Sequence, residues 1–393
     1  MSKSIDLAEY AVRLRRFIQA SLGEAGPASA HGERGIESAS AAVFDRLALD
    51  LFAFQFAHNG PYRRLCEARE VQPQGIGHWT EIPAVPTSAF KELELTSLSA
   101  GERSVVFHSS GTTGQTPSRH FHSAQSLAIY EASALAWYSR HLVANRGVSI
   151  SAREKAGAKG RLAILTPSSS EAPHSSLVHM FDAIRCALGF SESVFLGRPA
   201  EEGWVLDNER VCEVLADASK GGRPLMVLGT AFSFVHLLDD RAERGMRFRL
   251  PTGSRALETG GYKGRSRELS KPALHALMTR QLGLSPESIV CEYGMSELSS
   301  QAYDGVAGER RHNGRRFRFP PWARAQIISP ETGEEAGEGE TGLIRVLDLA
   351  NVYSVMAVQT EDLGVRRGDG FELIGRATQA EARGCSLMAL QEG

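Results

Sequence analysis

The chain has 393 residues, of which 42% are hydrophobic and 23% are charged, and its formal net charge at pH 7 is −2. These values are ordinary for a globular protein that buries a large core and contains more than one domain. The charge gives no general electrostatic attraction to nucleic acid or to an anionic membrane, so nucleic acid is not predicted as a partner.

The cysteine pattern indicates the type of compartment. The five cysteines are Cys66, Cys186, Cys212, Cys291 and Cys385. They are scattered and odd in number, and they form no Cys-x-x-Cys pair, which argues against a disulfide framework or a zinc site. The sequence has no signal-peptide pattern and no apolar run long enough to cross a bilayer. We therefore expect a cytoplasmic protein without a membrane span.

The first part of the chain predicts two helices. Apolar residues recur at roughly helical spacing over residues 4–22, and a strongly apolar stretch over residues 40–58 ends at the turn His58-Asn59-Gly60. The Gly-, Ala- and Ser-rich residues 23–38 are predicted to form a loop. We expect residues 1–103 to be a helical region packed on the core.

From about residue 104 onward, short apolar runs alternate with helical patterns. Strands are predicted at residues 105–108, 162–165, 194–196, 225–228 and 289–291. Helices are predicted at residues 124–142, 176–188, 209–218, 231–243 and 272–282. This alternation predicts an α/β core over residues 104–320, with mainly parallel sheets covered by helices.

The pattern changes after Pro320-Pro321. Strands are predicted at residues 325–328, 343–347, 352–358 and 371–374, with no helix between them. We therefore expect residues 321–393 to form an antiparallel β subdomain with a C-terminal tail.

Glycines and hydroxyl side chains are concentrated after the first predicted strand of the core. The run is Ser109-Ser110-Gly111-Thr112-Thr113-Gly114. Glycines let backbone N–H groups approach a ligand closely, and hydroxyls add donors, so this composition suits a polyphosphate. The Walker A pattern of P-loop NTPases is absent. A polar turn is the alternative, but the composition favours a nucleotide.

Further segments strengthen this interpretation. They are Leu257–Tyr262, Cys291–Glu297, Gln359–Asp362 and Leu373–Arg376. In order and spacing, they and the hydroxyl-rich loop resemble the motifs of the adenylate-forming superfamily, which includes acyl-CoA synthetases, the adenylation domains of peptide synthetases and firefly luciferase. The resemblance spans residues 104–384 and implies the fold of the large N-terminal domain of such an enzyme.

The resemblance implies ATP and Mg²⁺ as cofactors. The implied nucleotide-binding residues are Ser109, Ser110, Gly111, Thr112, Thr113, Gly114, Gly260, Gly261, Tyr262, Tyr293, Gly294, Met295, Ser296, Asp362 and Arg376. The Gly-Gly turn permits close approach of a flat ring, on which Tyr293 can stack. Glu297 is a hard oxygen ligand suited to Mg²⁺. Asp362 can accept hydrogen bonds from ribose hydroxyls, with cationic support from Arg376.

The C-terminal part narrows the resemblance. Residues 82–91 and the ending Arg383-Gly384-Cys385-Ser386-Leu387 are similar to the acyl-protein synthetases of bacterial luminescence systems. In that family a fatty acid is activated with ATP, carried on a cysteine near the C-terminus, and passed to a reductase. Cys385 occupies the matching position, and the family's usual acceptor implies a reductase or carrier-protein partner. The small C-terminal domain found in most adenylate-forming enzymes, and its lysine, are expected to be absent.

Further candidate residues lie outside the nucleotide motifs. Arg119 lies where related enzymes often have a lysine and is predicted to assist catalysis by steadying pyrophosphate. Phe232 and Phe234 lie in the region that lines the acyl pocket in the superfamily, although one or both can instead belong to the core. The arginine-rich residues 310–318 can contact a phosphate or an acidic partner, or lie in an exposed loop.

Two other functions remain open from the sequence. One is an acid–CoA ligase that resembles the phenylacetate–CoA type, against which the short C-terminus argues. The other is a non-catalytic nucleotide-binding subunit that acts as a scaffold. The expected enzyme is an ATP-dependent acyl ligase whose substrate is a carboxylic acid.

Overall fold

A computed structural model describes residues 7–23, 33–109, 116–143, 161–190, 192–201, 203–262, 266–311 and 314–377, with only the backbone described over residues 33–40. The chain divides into two compact units. Unit 1 comprises Met1–Ala136, Met295–Ala302 and Arg316–Gly393, and unit 2 comprises Trp137–Gly294 and Tyr303–Arg315. The three-part division expected from the sequence stays a prediction.

The helices of the described residues are α1 (Leu7–Gly23), α2 (Glu33–His58), α3 (Gly60–Ala68), α4 (Ala89–Glu92), α5 (Ala124–Tyr138), α6 (Ser176–Ala187), α7 (Asn208–Gly221), α8 (Ala231–Glu243) and α9 (Lys271–Leu282). The strands are β1 (Val85–Pro86), β2 (Val105–His108), β3 (Arg119–His122), β4 (Arg161–Ile164), β5 (Glu192–Phe195), β6 (Gly197–Ala200), β7 (Gly203–Leu206), β8 (Leu225–Thr230), β9 (Arg255–Thr259), β10 (Ile289–Tyr293), β11 (Ala302–Tyr303), β12 (Ala323–Ile328), β13 (Thr341–Asp348), β14 (Ala357–Arg367) and β15 (Gly370–Arg376). A π-helical turn, Ser139–Val143, continues α5. No helix in these ranges is both long and apolar enough to cross a membrane.

The N-terminal helices agree with the sequence except at one boundary. The helix predicted over residues 4–22 is α1, and the one predicted over residues 40–58 is the second part of α2. The prediction that residues 33–38 belong to a loop is wrong, because α2 begins at Glu33. Serine and alanine in this stretch are compatible with a helix, and alanine is the best helix former, so their abundance did not by itself indicate a loop.

Unit 1 contains a five-stranded sheet. Its strand order is β1-β14-β13-β12, and β15 pairs with the second edge of β14. The pairs β12–β13, β13–β14 and β14–β15 are antiparallel, whereas the short β1 is parallel to β14. The predicted antiparallel β structure after Pro321 is therefore confirmed.

The predicted start of one strand of this sheet is wrong. Residues 352–358 were predicted as a strand, but β14 begins at Ala357 and continues to Arg367. The apolar residues Val352 and Val355 are buried in a turn, where Gln55 Nε2 donates hydrogen bonds to the carbonyls of Asn351 and Val352. Burial without regular pairing produced the same apolar signal as a strand.

Unit 2 contains the parallel sheet that the alternation predicted. Its order is β11-β10-β9-β8-β4-β5, and the pairs from β10 across to β5 are parallel. All residues of β8, β9 and β10 are buried. Strands covered on both faces read as continuous apolar runs, which explains why β8 and β10 were predicted from the sequence. The strand β9 was not predicted, because its run Arg-Ala-Leu-Glu-Thr contains charged and polar residues.

The strand at residues 105–108 does not belong to the parallel sheet. It is β2, and it pairs antiparallel with β3 to form a two-stranded hairpin in unit 1. The prediction that it opens the parallel alternation is therefore wrong. Residues 119–122 were not predicted as a strand, because Arg-His-Phe-His is not an apolar run.

We expect Gly342→Ala to destabilise unit 1. A Cβ at Gly342 would lie 2.4 Å from the carbonyl oxygen of Ile328 on the paired strand, which no L side chain can accept without a backbone shift. The expected loss in free energy of unfolding is about 1–3 kcal/mol, measured by urea denaturation. The matched control is Gly77→Ala, whose Cβ would meet no atom within 4 Å. Equal transition midpoints for the two variants would contradict the packing argument.

Candidate functional site

The hydroxyl-rich run begins at the end of β2. Ser109 N–H donates to the Ser118 carbonyl at 3.4 Å, and Ser118 N–H donates to Ser109 Oγ at 2.9 Å. These bonds close the β2–β3 hairpin at the two residues that flank the loop. The phosphate-binding residues predicted within it, Ser110, Gly111, Thr112, Thr113 and Gly114, lie outside the described residues, so their role stays a prediction.

Arg119 is the first residue of β3. Its Nη1 lies 3.5 Å from Glu94 Oε1, and its guanidinium lies 5.9 Å from the centre of the Phe121 ring. Glu94 is half exposed and also pairs with Arg103 at 2.7 Å. Surface ion pairs of this kind contribute little free energy, so Arg119 can exchange Glu94 for an anionic ligand at small cost.

Glu297 lies in the irregular segment Met295–Ser300, which follows β10 and belongs to unit 1. Its side chain is buried, and its Oε2 accepts a hydrogen bond from Ser296 Oγ at 3.0 Å. Asn351 Nδ2 donates to its backbone carbonyl at 2.8 Å. Within the described ranges, no Lys, Arg or His forms an ion pair with it. A buried carboxylate without a protein cation has the chemistry of a ligand for a hard metal ion, so Glu297 fits Mg²⁺.

Asp348 fixes the residues that follow Glu297. It is fully buried and accepts hydrogen bonds from the backbone N–H groups of Ser299 and Ser300 at 2.8 and 2.7 Å, and from Ser300 Oγ at 2.6 Å. Burial raises the pKa of Asp348 above its usual value, although these hydrogen bonds favour the ionised form. The carboxylate therefore replaces the backbone pairing that the irregular segment lacks.

His120 fixes the residue that precedes Glu297. It lies on β3 and is 2% exposed, and its Nδ1–H donates to the Ser296 carbonyl at 2.7 Å. Burial lowers the pKa of His120 to about 4, so the ring is neutral near pH 7. A neutral imidazole that bonds a carbonyl through Nδ1 must carry its proton there.

Asp362 and Arg376 are brought together, as the predicted site requires. They are direct partners in the β14–β15 register, and Arg376 Nε lies 3.7 Å from Asp362 Oδ1. The Arg376 side chain is 78% exposed, whereas Asp362 is 18% exposed. Asp362 thus has a fixed position, and Arg376 remains free to turn toward a ligand.

The Gly260-Gly261-Tyr262 turn lies at the carboxyl end of β9 in unit 2. Gly260 has φ +67°, which favours glycine, and a Cβ at Gly260 or Gly261 would meet no atom within 4 Å. Both glycines are exposed, and Tyr262 packs at the edge of the unit 2 core. This leaves open space beside a bare stretch of backbone, which suits a flat ring.

Tyr293 and Gly294 end the adjacent strand, β10. Glu292 is paired in register with Thr259, so the two predicted motifs leave the parallel sheet at the same edge. Tyr293 is buried, and Gly294 is partly exposed. Burial raises the pKa of Glu292 to about 7, and the carboxyl group is hydrogen-bonded by the Thr259 hydroxyl. The carboxyl edge of parallel strands is the usual ligand-binding edge in α/β sheets.

A buried network that the sequence did not predict lies beside this edge. Glu258 is fully buried, and Lys271 Nζ lies 3.1 and 3.0 Å from its two carboxylate oxygens. Cys291 Sγ donates to Glu258 Oε2 at 2.9 Å, and His275 Nε2 lies 3.4 Å from the same oxygen. Burial alone would raise the pKa of Glu258, but the charge of Lys271 and these bonds lower it to about 2.

This network has metal-ligand atoms but is already neutralised. The ligand atoms of Glu258, His275 and Cys291 lie within 4.8 Å of one another. However, Lys271 supplies the cation for Glu258, and burial raises the pKa of the Cys291 thiol well above its usual value, so the sulfur keeps its proton. We therefore interpret the cluster as a hydrogen-bonded anchor that joins β9, β10 and α9.

The predicted acyl-pocket residues have different surroundings. Phe234 is fully buried in the hydrophobic core cluster of unit 2, which matches the core alternative left open by the sequence. Phe232 is 4% exposed, and its ring lies 5.4 Å from that of Trp204. Trp204, on the β6–β7 hairpin, is partly exposed. A role for either phenylalanine in acid binding stays a prediction.

Two arginines of the basic run are structural. Arg315 Nη1 lies 2.5 Å from Asp304 Oδ2, and Arg311 Nη2 donates to the Ile289 carbonyl at 2.8 Å. Asp304 is itself buried and accepts a hydrogen bond from Cys291 N–H. These two side chains are therefore committed to the first residues of β10 rather than to a phosphate or an acidic partner.

The family profile described as "Acyl-protein synthetase, LuxE" matches residues 183–392, more than half of the chain. The chain belongs to this family. The match includes the segment that holds Glu297, the Asp362–Arg376 pair and Cys385. Cys385 itself lies outside the described residues, so acyl carriage by its thiol stays a prediction.

Two curated relatives agree with this assignment. Both are named long-chain-fatty-acid–luciferin-component ligase. The relative from Vibrio harveyi is 21% identical over 355 residues, which cover 88% of this chain and 87% of the relative. The relative from Aliivibrio fischeri is 21% identical over 358 residues, with the same coverage of 88% and 87%. The predicted class of enzyme, a ligase of the acyl-protein synthetase type, is confirmed.

Solved structures confirm the predicted fold. An open conformation of 2-hydroxyisobutyryl-CoA ligase, in complex with 2-HIB-AMP and CoA, matches with a TM-score of 0.60 at 15% identity. The match covers 86% of this chain and 75% of that one. At this identity the similarity concerns the fold, which is that of an adenylate-forming enzyme with mixed parallel and antiparallel sheets.

Because the Glu258–Lys271 ion pair is buried, we expect substitution of Lys271 to destabilise the protein strongly. Lys271→Met leaves a fully buried carboxylate without its cation, so the free energy of unfolding at pH 7 is expected to fall by about 3–5 kcal/mol. The matched control is Arg267→Met, which removes an exposed ion pair with Asp239 and is expected to cost less than about 1 kcal/mol.

The same pair sets a pH dependence. The pKa of Glu258 falls from its usual 4.5 to about 2 on folding, so its stabilising contribution is present above about pH 4.5 and is lost as the pH falls toward 2. The difference between wild type and Lys271→Met, measured by urea denaturation, should therefore shrink over this range. A difference that does not depend on pH would contradict the assignment.

Proposed function

We propose that this acyl-protein synthetase activates a long-chain fatty acid with ATP as an acyl-adenylate and then transfers the acyl group to the thiol of Cys385. A reductase or another acceptor then takes the acyl group from the enzyme. The family match over residues 183–392 is the observation that carries this proposal. The acid class follows from the names of the two curated relatives, both ligases of long-chain fatty acids.

In the first step, a carboxylate oxygen of the acid attacks the α-phosphorus of ATP. The bond from this phosphorus to the bridging oxygen breaks, and pyrophosphate leaves with the electron pair. Such a step depends mainly on positioning and on neutralising phosphate charge. Glu297 would hold the Mg²⁺ that supplies part of this neutralisation, and Arg119 would contact the leaving pyrophosphate.

The nucleoside is assigned to the remaining predicted residues. Asp362 would accept hydrogen bonds from the ribose hydroxyls, because its position is fixed opposite Arg376 in the β14–β15 pair. The exposed glycines of the Gly260-Gly261-Tyr262 turn would lie against the adenine ring, and Tyr293 would stack on it. The open space at the two glycines supports this assignment.

In the second step, the Cys385 thiolate attacks the carbonyl carbon of the mixed anhydride. A carbon–sulfur bond forms, the bond from the acyl carbon to the phosphate oxygen breaks, and AMP leaves. The thioester keeps the acyl group activated for transfer.

A pyrophosphate-exchange assay over a panel of carboxylic acids tests the first step. We expect exchange with long-chain fatty acids, and a loss of about 10- to 100-fold in Glu297→Gln, because the substitution removes a metal-ligand charge. The control is Glu331→Gln, which makes the same change at an exposed turn. No exchange by the wild type with any acid would contradict the proposed activity. Efficient CoA-dependent release of AMP would instead favour an acid–CoA ligase.

Acyl labelling tests the thiol step. With radioactive fatty acid and ATP, Cys385→Ser is expected to lose the hydroxylamine-sensitive label while it retains pyrophosphate exchange. Cys186→Ser is the matched control, because it makes the same change at an exposed cysteine that has no proposed role. Equal labelling of Cys385→Ser and wild type, or loss of the label in Cys186→Ser, would remove Cys385 from the mechanism.

A further inference from the structure

The segment that carries Glu297 has little regular backbone structure of its own. Between the end of β10 and the start of β11, the described chain is neither helix nor strand, and Leu298 N–H bonds only to the nearby Met295 carbonyl at 3.2 Å. The direction of the Glu297 side chain must therefore be set by side chains of other elements. Asn351 and Asp348 hold it from the C-terminal side.

On the N-terminal side of Glu297, the segment is bonded to the β2–β3 hairpin. His120 Nδ1–H donates to the Ser296 carbonyl at 2.7 Å. Ser118 Oγ lies 3.4 Å from Ser296 Oγ, which in turn donates to Glu297 Oε2 at 3.0 Å. His120 thus bonds to the carbonyl of the residue directly before Glu297, whose carboxylate would bind Mg²⁺.

We propose that His120 is a positioning residue that aims the Glu297 carboxylate at Mg·ATP by fixing the Ser296 carbonyl. The proposal rests on the function proposed above, which gives Glu297 its ligand. It adds that the buried hydrogen bond of His120, together with the weaker contact of Ser118, holds the Glu297 segment against strand β3.

The surroundings of His120 make it a rigid donor. Its ring lies 6.5 Å from Phe90 in an edge-to-face arrangement and 4.2 Å from the ring of His122. A donor that is locked by packing can hold its partner more accurately than an exposed side chain. Groups that orient a metal ligand in this way typically change metal affinity by about 10- to 100-fold when they are removed.

Two polar variants separate the hydrogen bond from the packing. In His120→Asn the amide nitrogen replaces Nδ1 and can still donate to Ser296, whereas in His120→Gln the amide lies nearer the position of Nε2 and cannot. The matched control is His122→Gln. His122 is also buried on β3, contacts the His120 ring, and bonds through Nδ1 to Ser126 Oγ at 3.1 Å rather than to the Glu297 segment.

The readout is the affinity for ATP with and without Mg²⁺, measured by calorimetry in the absence of an acid. We expect His120→Gln to weaken binding of Mg·ATP by about tenfold and to leave binding of metal-free ATP within about twofold. His120→Asn should stay within about threefold of the wild type in both measurements, and His122→Gln within about twofold, whatever their transition midpoints.

A double-mutant cycle tests whether His120 acts through Glu297. In a Glu297→Gln background, His120→Gln should weaken the binding of Mg·ATP by less than about a further twofold, because the carboxylate that His120 positions is already absent. Equal and additive losses in both backgrounds would overturn the proposal, as would equal effects of His120→Gln and His122→Gln. A wild type that binds Mg·ATP but exchanges no pyrophosphate would contradict the proposed function alone, and the calorimetric comparison would still decide the role of His120.

Discussion

The compensation of buried carboxylates is the constraint on which this structure depends. A carboxylate removed from water must be neutralised or supplied with several donors. Glu258 has Lys271, and Asp348 has the backbone N–H groups and hydroxyl of the segment after Glu297. Glu297 receives one hydroxyl donor and, among the described residues, no cation. Glu258 and Asp348 are therefore structural anchors. Glu292 resembles Glu297 in receiving a single hydroxyl donor, from Thr259, and of these two Glu297 is the one predicted to hold Mg²⁺.

The anchors explain why the motifs stay in place although they lie on irregular backbone. In unit 2, Glu258 lies two positions before Gly260, and Cys291 lies two positions before Tyr293, so the network fixes the ends of β9 and β10. In unit 1, Asp348 and His120 hold the Glu297 segment from its two sides. In each unit the residues predicted to bind the ligand are close in sequence to buried polar groups that take no part in the proposed chemistry.

The sequence predicts those parts of the fold whose residue pattern is typical of one kind of structure only. Fully buried parallel strands such as β8 and β10 appear as apolar runs, and short motifs in the right order indicated the adenylate-forming superfamily. Other patterns have more than one structural meaning. Val352 and Val355 are apolar because they are buried in an irregular segment, and β14 contains Glu361 and Asp362 because neither position is fully buried. Pairings over long sequence distances, such as His120 with Ser296 or Lys271 with Glu258, have no local signal and require the fold.

Burial also limits which cysteine thiol can carry an acyl group. Burial raises the pKa of Cys66 to about 11 and that of Cys291 well above its usual value, so both remain protonated in the core. A protonated thiol within a packed interior is a poor nucleophile and cannot present a thioester to a partner. The proposed acyl carrier is therefore a cysteine other than these two. Cys186 is exposed and Cys212 is partly exposed, but both lie in regular helices, α6 and α7, which restricts their reach. A carrier must visit the acyl-adenylate and then the acceptor, and this requirement, together with the family resemblance at Arg383-Gly384-Cys385, favours the C-terminal thiol.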